Sequence, residues 1–294
     1  MPKSLGFQVS LKNEHKASFL ARDIAIWFHR GSALERRIET VLNHLREEIG
    51  VRSLKRLDQE AIRAYVDHLK DRVGAGEISR KTAENYLSAL NKIIEYTNSR
   101  LGKDLETVSP RAEGLSRGSF EFVDRAVSRE THEKFLNFLS EKQDIRAQAL
   151  MHSVSLQREF GLRLRESIAI KMTTIERALE NNVLHLTRED GTKNAREREI
   201  PIRNPEQRET LEKALGFMRE NNLSSLCPTE RLKEQYNFAE QMAKEFRQET
   251  GENFHYHGER HVFAQQAISE GVDRQTVSTW LGHNRLEVTK VYAR

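Results

Sequence analysis

A single cysteine, Cys227, stands in 294 residues, so an intrachain disulfide and a cysteine-based zinc cluster are both excluded. Proline is scarce at 5 residues and glycine numbers 15, which points to a helical chain with few irregular segments. No stretch approaches the roughly 20 apolar residues that a membrane span needs. The opening MPKSLGFQVSLKNEHK lacks an apolar block of the signal-peptide kind, so the cytoplasm is the expected location. Internal repeats and low-complexity segments are lacking too. A strong excess of one charge is also missing: 48 basic residues against 44 acidic ones leave a net +4. That excess fits nucleic-acid binding only weakly, and composition does not decide the partner.

What the sequence does have is helical periodicity in two blocks. Residues 101–127 carry Gly102, Pro110, Gly114 and Gly118 with few regularly spaced apolar positions. They mark the junction, giving domains 1–110 and 128–294 with a linker at 111–127. In the first block, Asp58 caps a helix on which Ile62, Tyr65, Val66 and Leu69 share one face. Ser79 opens another, with Tyr86, Leu87, Leu90 and Ile94 inward and Arg80, Lys81, Asn85 and Lys92 off that face. An earlier helix covers Leu34–Ile49. Residues 1–33, with Trp27 and Phe28, read as an arm or as a helix completing this domain.

The second block starts with a helix capped by Ser128, followed by a helix from Ile145 to Phe160. KMTTIE, NNVLHLTRE and REREIPI are short and β-branched or alternating, and predict a small three-stranded antiparallel sheet. Helices return from Pro205, including Gln235–Gln248, where Phe238, Met242 and Phe246 recur every four residues. The last part reads as a helix, a stop at Gly271, a cap at Asp273, and a short helix ending at Gly282.

Singly, the polar residues decide little: two arginines in GLRLRE, a lysine in the turn EDGTKNA, a tyrosine two residues from the end. Order and spacing together say more. Arg163 is followed by Glu166, then Lys193 eight residues before Pro201, then His257-Gly-Glu-Arg260, then Leu281-Gly282-His283, then Tyr292 nine residues after that histidine. This set strongly resembles the tyrosine recombinase (phage integrase) family, and SRKTAENYLSALNKIIEY at 79–96 resembles that family's core-binding domain.

The resemblance spans roughly residues 35–294. It implies a mainly α protein: an N-terminal helical bundle of the SAM-like core-binding kind, then a catalytic domain of the DNA breaking-rejoining fold. It assigns Arg163, Lys193, His257, Arg260, His283 and the nucleophile Tyr292 to catalysis, with Glu166 supporting. It further implies strand cleavage and rejoining through a 3′-phosphotyrosine, with no metal and no cofactor. The implied partners are double-stranded DNA, further copies of the chain as a tetramer on two sites, and an accessory bending or excision factor. The site of action is the nucleoid. The helix bearing Tyr86 and Lys92 is the candidate for the major groove, with Arg80, Lys81, Asn85 and Lys92 as contacts.

Two features depart from the family pattern. Gly258-Glu259 stands where Asp-Leu is common, and a glutamate beside a phosphate-binding arginine would weaken the site if it pointed inward. The sequence also stops two residues after Tyr292, where members usually continue into a segment that packs on a neighbouring protomer. That implies a shortened chain or a different mode of assembly.

Three alternatives stay open on sequence grounds. EGVDRQTVSTWLGH passes for a helix-turn-helix of a non-catalytic regulator, with Val277, Trp280 and Leu281 on one face. His255, His257 and His261 have an H-x-H-x₃-H spacing that suggests a metalloprotein, without the carboxylate of the zincin motif. A type IB topoisomerase shares the recombinase chemistry without exchanging strands.

Overall fold

Side-chain caps start the helices where the spacing predicts them. Asp58 Oδ1 accepts from the Ala61 amide at 2.8 Å, and Ser79 Oγ accepts from Thr82 at 3.2 Å. Each satisfies an amide that the first helical turn leaves without a partner. The computed structural model describes residues 9–29, 31–116 and 124–283, in two units, Met1–Ser119 and Phe120–Arg294.

In the first unit, α1 (Glu14–Trp27), α2 (Ser32–Glu47), α3 (Gln59–Gly74) and α4 (Arg80–Leu101) form a bundle. Leu20 and Ile24 of α1 lie in one core with Leu42, Tyr65, Leu69, Leu90 and Ile94. Residues 14–27 therefore complete the first bundle, with Trp27 edge-on to Tyr96 at 5.7 Å. Beyond α4 the chain is strapped back by two asparagines. Asn91 exchanges both its amide bonds with Val108 at 2.8 Å, and Asn98 does the same with Leu105 at 2.8 and 3.0 Å. Leu115 reaches the same core.

The second unit comprises α5 (Arg129–Ser140), α6 (Ile145–Phe160), α7 (Leu164–Ala169), α8 (Met172–Asn181), β1 (Val183–Leu186), β2 (Arg198–Pro201), α9 (Pro205–Glu220), α10 (Leu232–Thr250), α11 (Tyr256–Ser269) and α12 (Arg274–Trp280). Helix α6 is apolar on two faces, because two cores meet on it. Ala149, Leu156 and Phe160 pack with Phe263, Val277 and Leu281. Ala147, Leu150 and Val154 pack with Phe135, Phe246 and Phe254.

The sheet corrects one expectation. Among the described residues it has two antiparallel strands, with Leu184 opposite Ile200 and Leu186 opposite Arg198. KMTTIE is not a strand but the first part of α8. Its β-branched run suggested extended backbone. Yet Ile175 and Ala178, three apart, are both fully buried, and that helical spacing outweighs local propensity. No helix among the described residues is long and apolar enough to cross a membrane.

Candidate active site

The site is built around a turn that only glycine permits. At Gly161 the chain leaves α6 with φ of +61°, and an added Cβ would lie 2.5 Å from Phe263 Cδ1 and 2.8 Å from Leu281 Cδ2. That turn sets Arg163 at the mouth of α7, against the segment that follows α12. The Arg163 amide donates to Glu166 Oε2 at 2.7 Å and its Nη1 donates to Glu166 Oε1 at 2.7 Å. Its Nη2 donates to the carbonyls of Leu281 at 3.3 Å and Gly282 at 3.4 Å.

Arg260, in the second turn of α11, grips the same turn from the other side and is 1% exposed. Its Nη1 donates to the Gly161 carbonyl at 2.5 Å. Its Nη2 donates to the Leu281 carbonyl and approaches His283 Nε2 at 3.2 Å. A guanidinium only donates, so His283 Nε2 accepts and the ring is neutral with its proton on Nδ1. Arg163, Arg260 and His283, far apart in sequence, thus converge on Leu281-Gly282.

Behind them lies a buried ion pair. Arg198 on β2 donates to Glu166 through Nη1 at 3.0 Å and Nη2 at 2.5 Å, with side chains 2% and 0% exposed. Burial pushes the Glu166 carboxyl up, but the Arg198 bonds and charge, joined by Arg163 and Arg260, prevail and hold it at about 2. Glu166 stays ionised and fixes one edge of Arg163, leaving the other to face the turn. The Arg198 stem also lies under Gly282, where an added Cβ would meet its Cδ at 3.3 Å.

The two histidines are held neutral. His283 falls to about 3, by desolvation first and then by the charges of Arg260 and Arg163. His257 falls to about 4 through desolvation and then Arg260, His255, Arg125 and Arg163. Because His257 keeps an exposed face, the cationic neighbours are the firmer cause of its shift. A neutral imidazole at pH 7 is the form a base requires. An anion entering between these groups adds negative charge and raises both values. DNA binding at pH 5 to 6 is therefore expected to take up protons. Calorimetry in buffers of different ionisation enthalpy checks this: the observed enthalpy should rise with the buffer's, and a flat dependence would contradict it.

Other expected residues lie elsewhere. Lys193 is exposed on the β1–β2 connection, in a short 3₁₀ turn where its carbonyl accepts from the Arg196 amide, and its ammonium makes no hydrogen bond or ion pair among the described residues. That connection reaches the site through Arg196, whose Nη1 donates to the His283 carbonyl at 3.4 Å. Tyr292 lies outside the described residues. In the first unit Arg80 and Lys81 are exposed on α4 and Asn85 is half-buried. Lys92 is engaged by Glu95 at 2.6 Å and sits over the Phe28 ring at 4.4 Å. Among the described residues no three His, Cys, Asp or Glu side chains are placed to share a metal ion.

Glu259 does not bond to Arg163 or Arg260. Its buried carboxylate meets His132 Nδ1 at 2.9 Å and Arg158 Nη1 at 2.7 Å. Gly258 is also explained, since a Cβ there would lie 2.5 Å from Val127 Cγ2 and 2.6 Å from the Arg125 carbonyl. Arg158, Arg196 and Arg198 were not legible as site residues. A clue existed for Arg198, because strand alternation sets it on the inward face with Ile200.

Comparison with known proteins gives the family and the fold. The phage integrase family profile matches residues 125–294. The chain is similar to a Tn1549 transposon integrase in complex with circular intermediate DNA, at 16% identity and a TM-score of 0.64, covering 95% of both chains. It is similar to the XerH site-specific recombinase bound to difH substrate, at 16% identity and a TM-score of 0.64, over 96% of this chain and 80% of that one. A lambda integrase tetramer bound to a Holliday junction gives 14% identity and a TM-score of 0.63, over 94% and 78%. No curated protein sequence matches significantly. With the family profile covering more than half of the sequence, the chain belongs to the phage integrase family, the tyrosine recombinases that cleave and rejoin DNA strands.

Proposed function

We propose that Arg163, Lys193, His257, Arg260, His283 and Tyr292 carry out strand cleavage and rejoining, with Glu166 holding Arg163 in place. One observation carries this most: Arg163, Arg260 and His283, contributed by three separate segments, converge on the Leu281-Gly282 turn. Tyr292 attacks the phosphorus. A phenol of pKa near 10 is only about one part in a thousand ionised at pH 7, so its proton must be drawn away, and neutral His257 is the group to take it. The arginines neutralise the charge that builds on the phosphoryl oxygens. In the free protein Arg163 Nη2 and both Arg260 η nitrogens hold neutral carbonyls. A phosphate oxygen competes well for them, since it brings a full negative charge to the guanidinium where a carbonyl brings only a dipole.

Lys193, on an exposed connection, protonates the 5′-hydroxyl leaving group. The bond energy is kept in a 3′-phosphotyrosine, so rejoining consumes no ATP, and the arginine pair takes the part a metal plays in other phosphoryl transfers. The DNA is double-stranded, gripped by Arg80, Lys81, Asn85 and Lys92 of α4 as well as by the second unit. Phosphate contacts of this kind make the affinity strongly salt-dependent. Acting on two sites, four copies of the chain assemble, in the cytoplasm at the nucleoid.

The test is covalent trapping with fragmented source DNA in EDTA, followed by denaturation and sequencing of the DNA ends left on the protein. A metal-independent adduct supports the proposal; its absence despite salt-sensitive DNA binding favours a regulator. Arg163→Lys is expected to lower adduct formation by at least about 100-fold, because an ammonium cannot span Glu166, the turn and a phosphate oxygen at once. Near-normal trapping by that variant would place Arg163 outside the chemistry.

A further inference from the structure

The first turns of α11 carry His257 and Arg260, and three contacts hold them from behind. Gly258 lets residues 125–127 lie directly against the helix. Glu259, 0% exposed, accepts from His132 of α5 at 2.9 Å and from Arg158 of α6 at 2.7 Å. Arg158 Nη1 also donates to the Val127 carbonyl at 3.3 Å, joining the same segment to the same carboxylate. A carboxylate only accepts, so His132 donates from Nδ1, and neutral imidazole suffices for that. One buried carboxylate is therefore matched by one guanidinium and one imidazole donor.

Successive helical residues point about 100° apart. Pinning Glu259 onto α5 and α6 consequently sets the rotation of α11 about its axis, and with it the directions of His257 and Arg260. We propose that Glu259, through Arg158 and His132, is a positioning residue for His257 and Arg260. This rests on the assignment of those two residues to the site. It turns the unusual glutamate between them from a threat to the phosphate-binding arginine into its support.

The test compares Glu259→Leu, Arg158→Met and the double variant with the wild type, on a duplex carrying the site recovered by trapping. Glu259→Leu leaves Arg158 and His132 buried around an apolar side chain, and α11 turns to relieve them. A displacement of about 1 Å at reacting groups lowers rates on the order of 100-fold, so adduct formation should fall by that much while DNA affinity changes by less than about threefold. The double variant removes both charges at similar volume, a change that buried pairs often tolerate. It should recover adduct formation to within about tenfold of wild type.

A readout independent of cleavage follows the imidazole NMR signals of His257 and His283, which should move in Glu259→Leu and return in the double variant. Unmoved signals would overturn the proposal, as would a Glu259→Leu protein that cleaves at the wild-type rate. So would a double variant no better than Glu259→Leu, since that marks general damage to the fold. Failure of the site assignment shows differently: the wild type then forms no adduct that Tyr292→Phe abolishes, whatever the imidazole signals do.

Discussion

Replacing Tyr292 by Phe is expected to abolish the covalent protein–DNA adduct and leave DNA affinity within about twofold of wild type. The substitution removes one oxygen and no charge at neutral pH, so the phosphate contacts that dominate binding are untouched. No substitute lies in the family's motif set: Arg163 and Arg260 are permanently charged donors, Glu166 is buried against Arg198, and Lys193, His257 or His283 attacking phosphorus would give an acid-labile phosphoramidate. Trapping under denaturing conditions, with salt-titrated binding alongside, separates the two effects. An adduct that survives in Tyr292→Phe would remove Tyr292 from the nucleophile's role. Lost binding would show that the tyrosine serves the fold or the interface instead.

Arg198→Met is expected to be the most damaging change behind the site. Methionine replaces the stem that lies under Gly282, but Glu166 loses the bidentate partner that holds its carboxyl near 2. Breaking a buried pair from one side costs about 3–5 kcal/mol. For a unit of this size each kcal/mol is worth about 2–4 °C, so the second unit's Tm should fall by roughly 6–20 °C.

The pH dependence has a definite sign. The Glu166 carboxyl is depressed from an ordinary 4.5 to about 2 in the folded protein. Its stabilising contribution is therefore complete above pH 4.5 and lost as pH falls through 2. The Tm gap between wild type and Arg198→Met should accordingly be widest above pH 5 and close towards pH 2. A gap that stays constant across that range would mean Arg198 acts by packing alone. Cleavage should fall with stability, because Glu166 also restrains Arg163.

Helix positions were legible because their signals are local. Asp58, Ser79, Ser128 and Asp273 each cap a helix through their own side chains, and Ile145–Phe160 forms over the span predicted. The strand expected at KMTTIE failed for a reason outside the segment: Ile175 and Ala178 are buried in the core shared with α9 and the strands.

The sequence by itself supplied the proposed residue set of the site, because a family that shares one fold carries its site residues in one order along the chain, whereas the chemistry constrains only their places in space. Arg163, Glu166, Lys193, His257, Arg260, His283 and Tyr292 were named through the resemblance of their order and spacing to the tyrosine recombinase motifs. What those side chains rest on was decided only by tertiary structure. Arg198 sits 32 residues from Glu166 and Arg158 sits 101 from Glu259, and no periodicity relates such pairs. A buried charge has to find its partner wherever packing brings one, and that choice is made in space rather than along the chain. For the same reason Glu259 reads in sequence as a charge beside a phosphate site. Folding turns it the other way, onto His132 and Arg158, because a fully buried carboxylate is tolerated only where donors already wait for it.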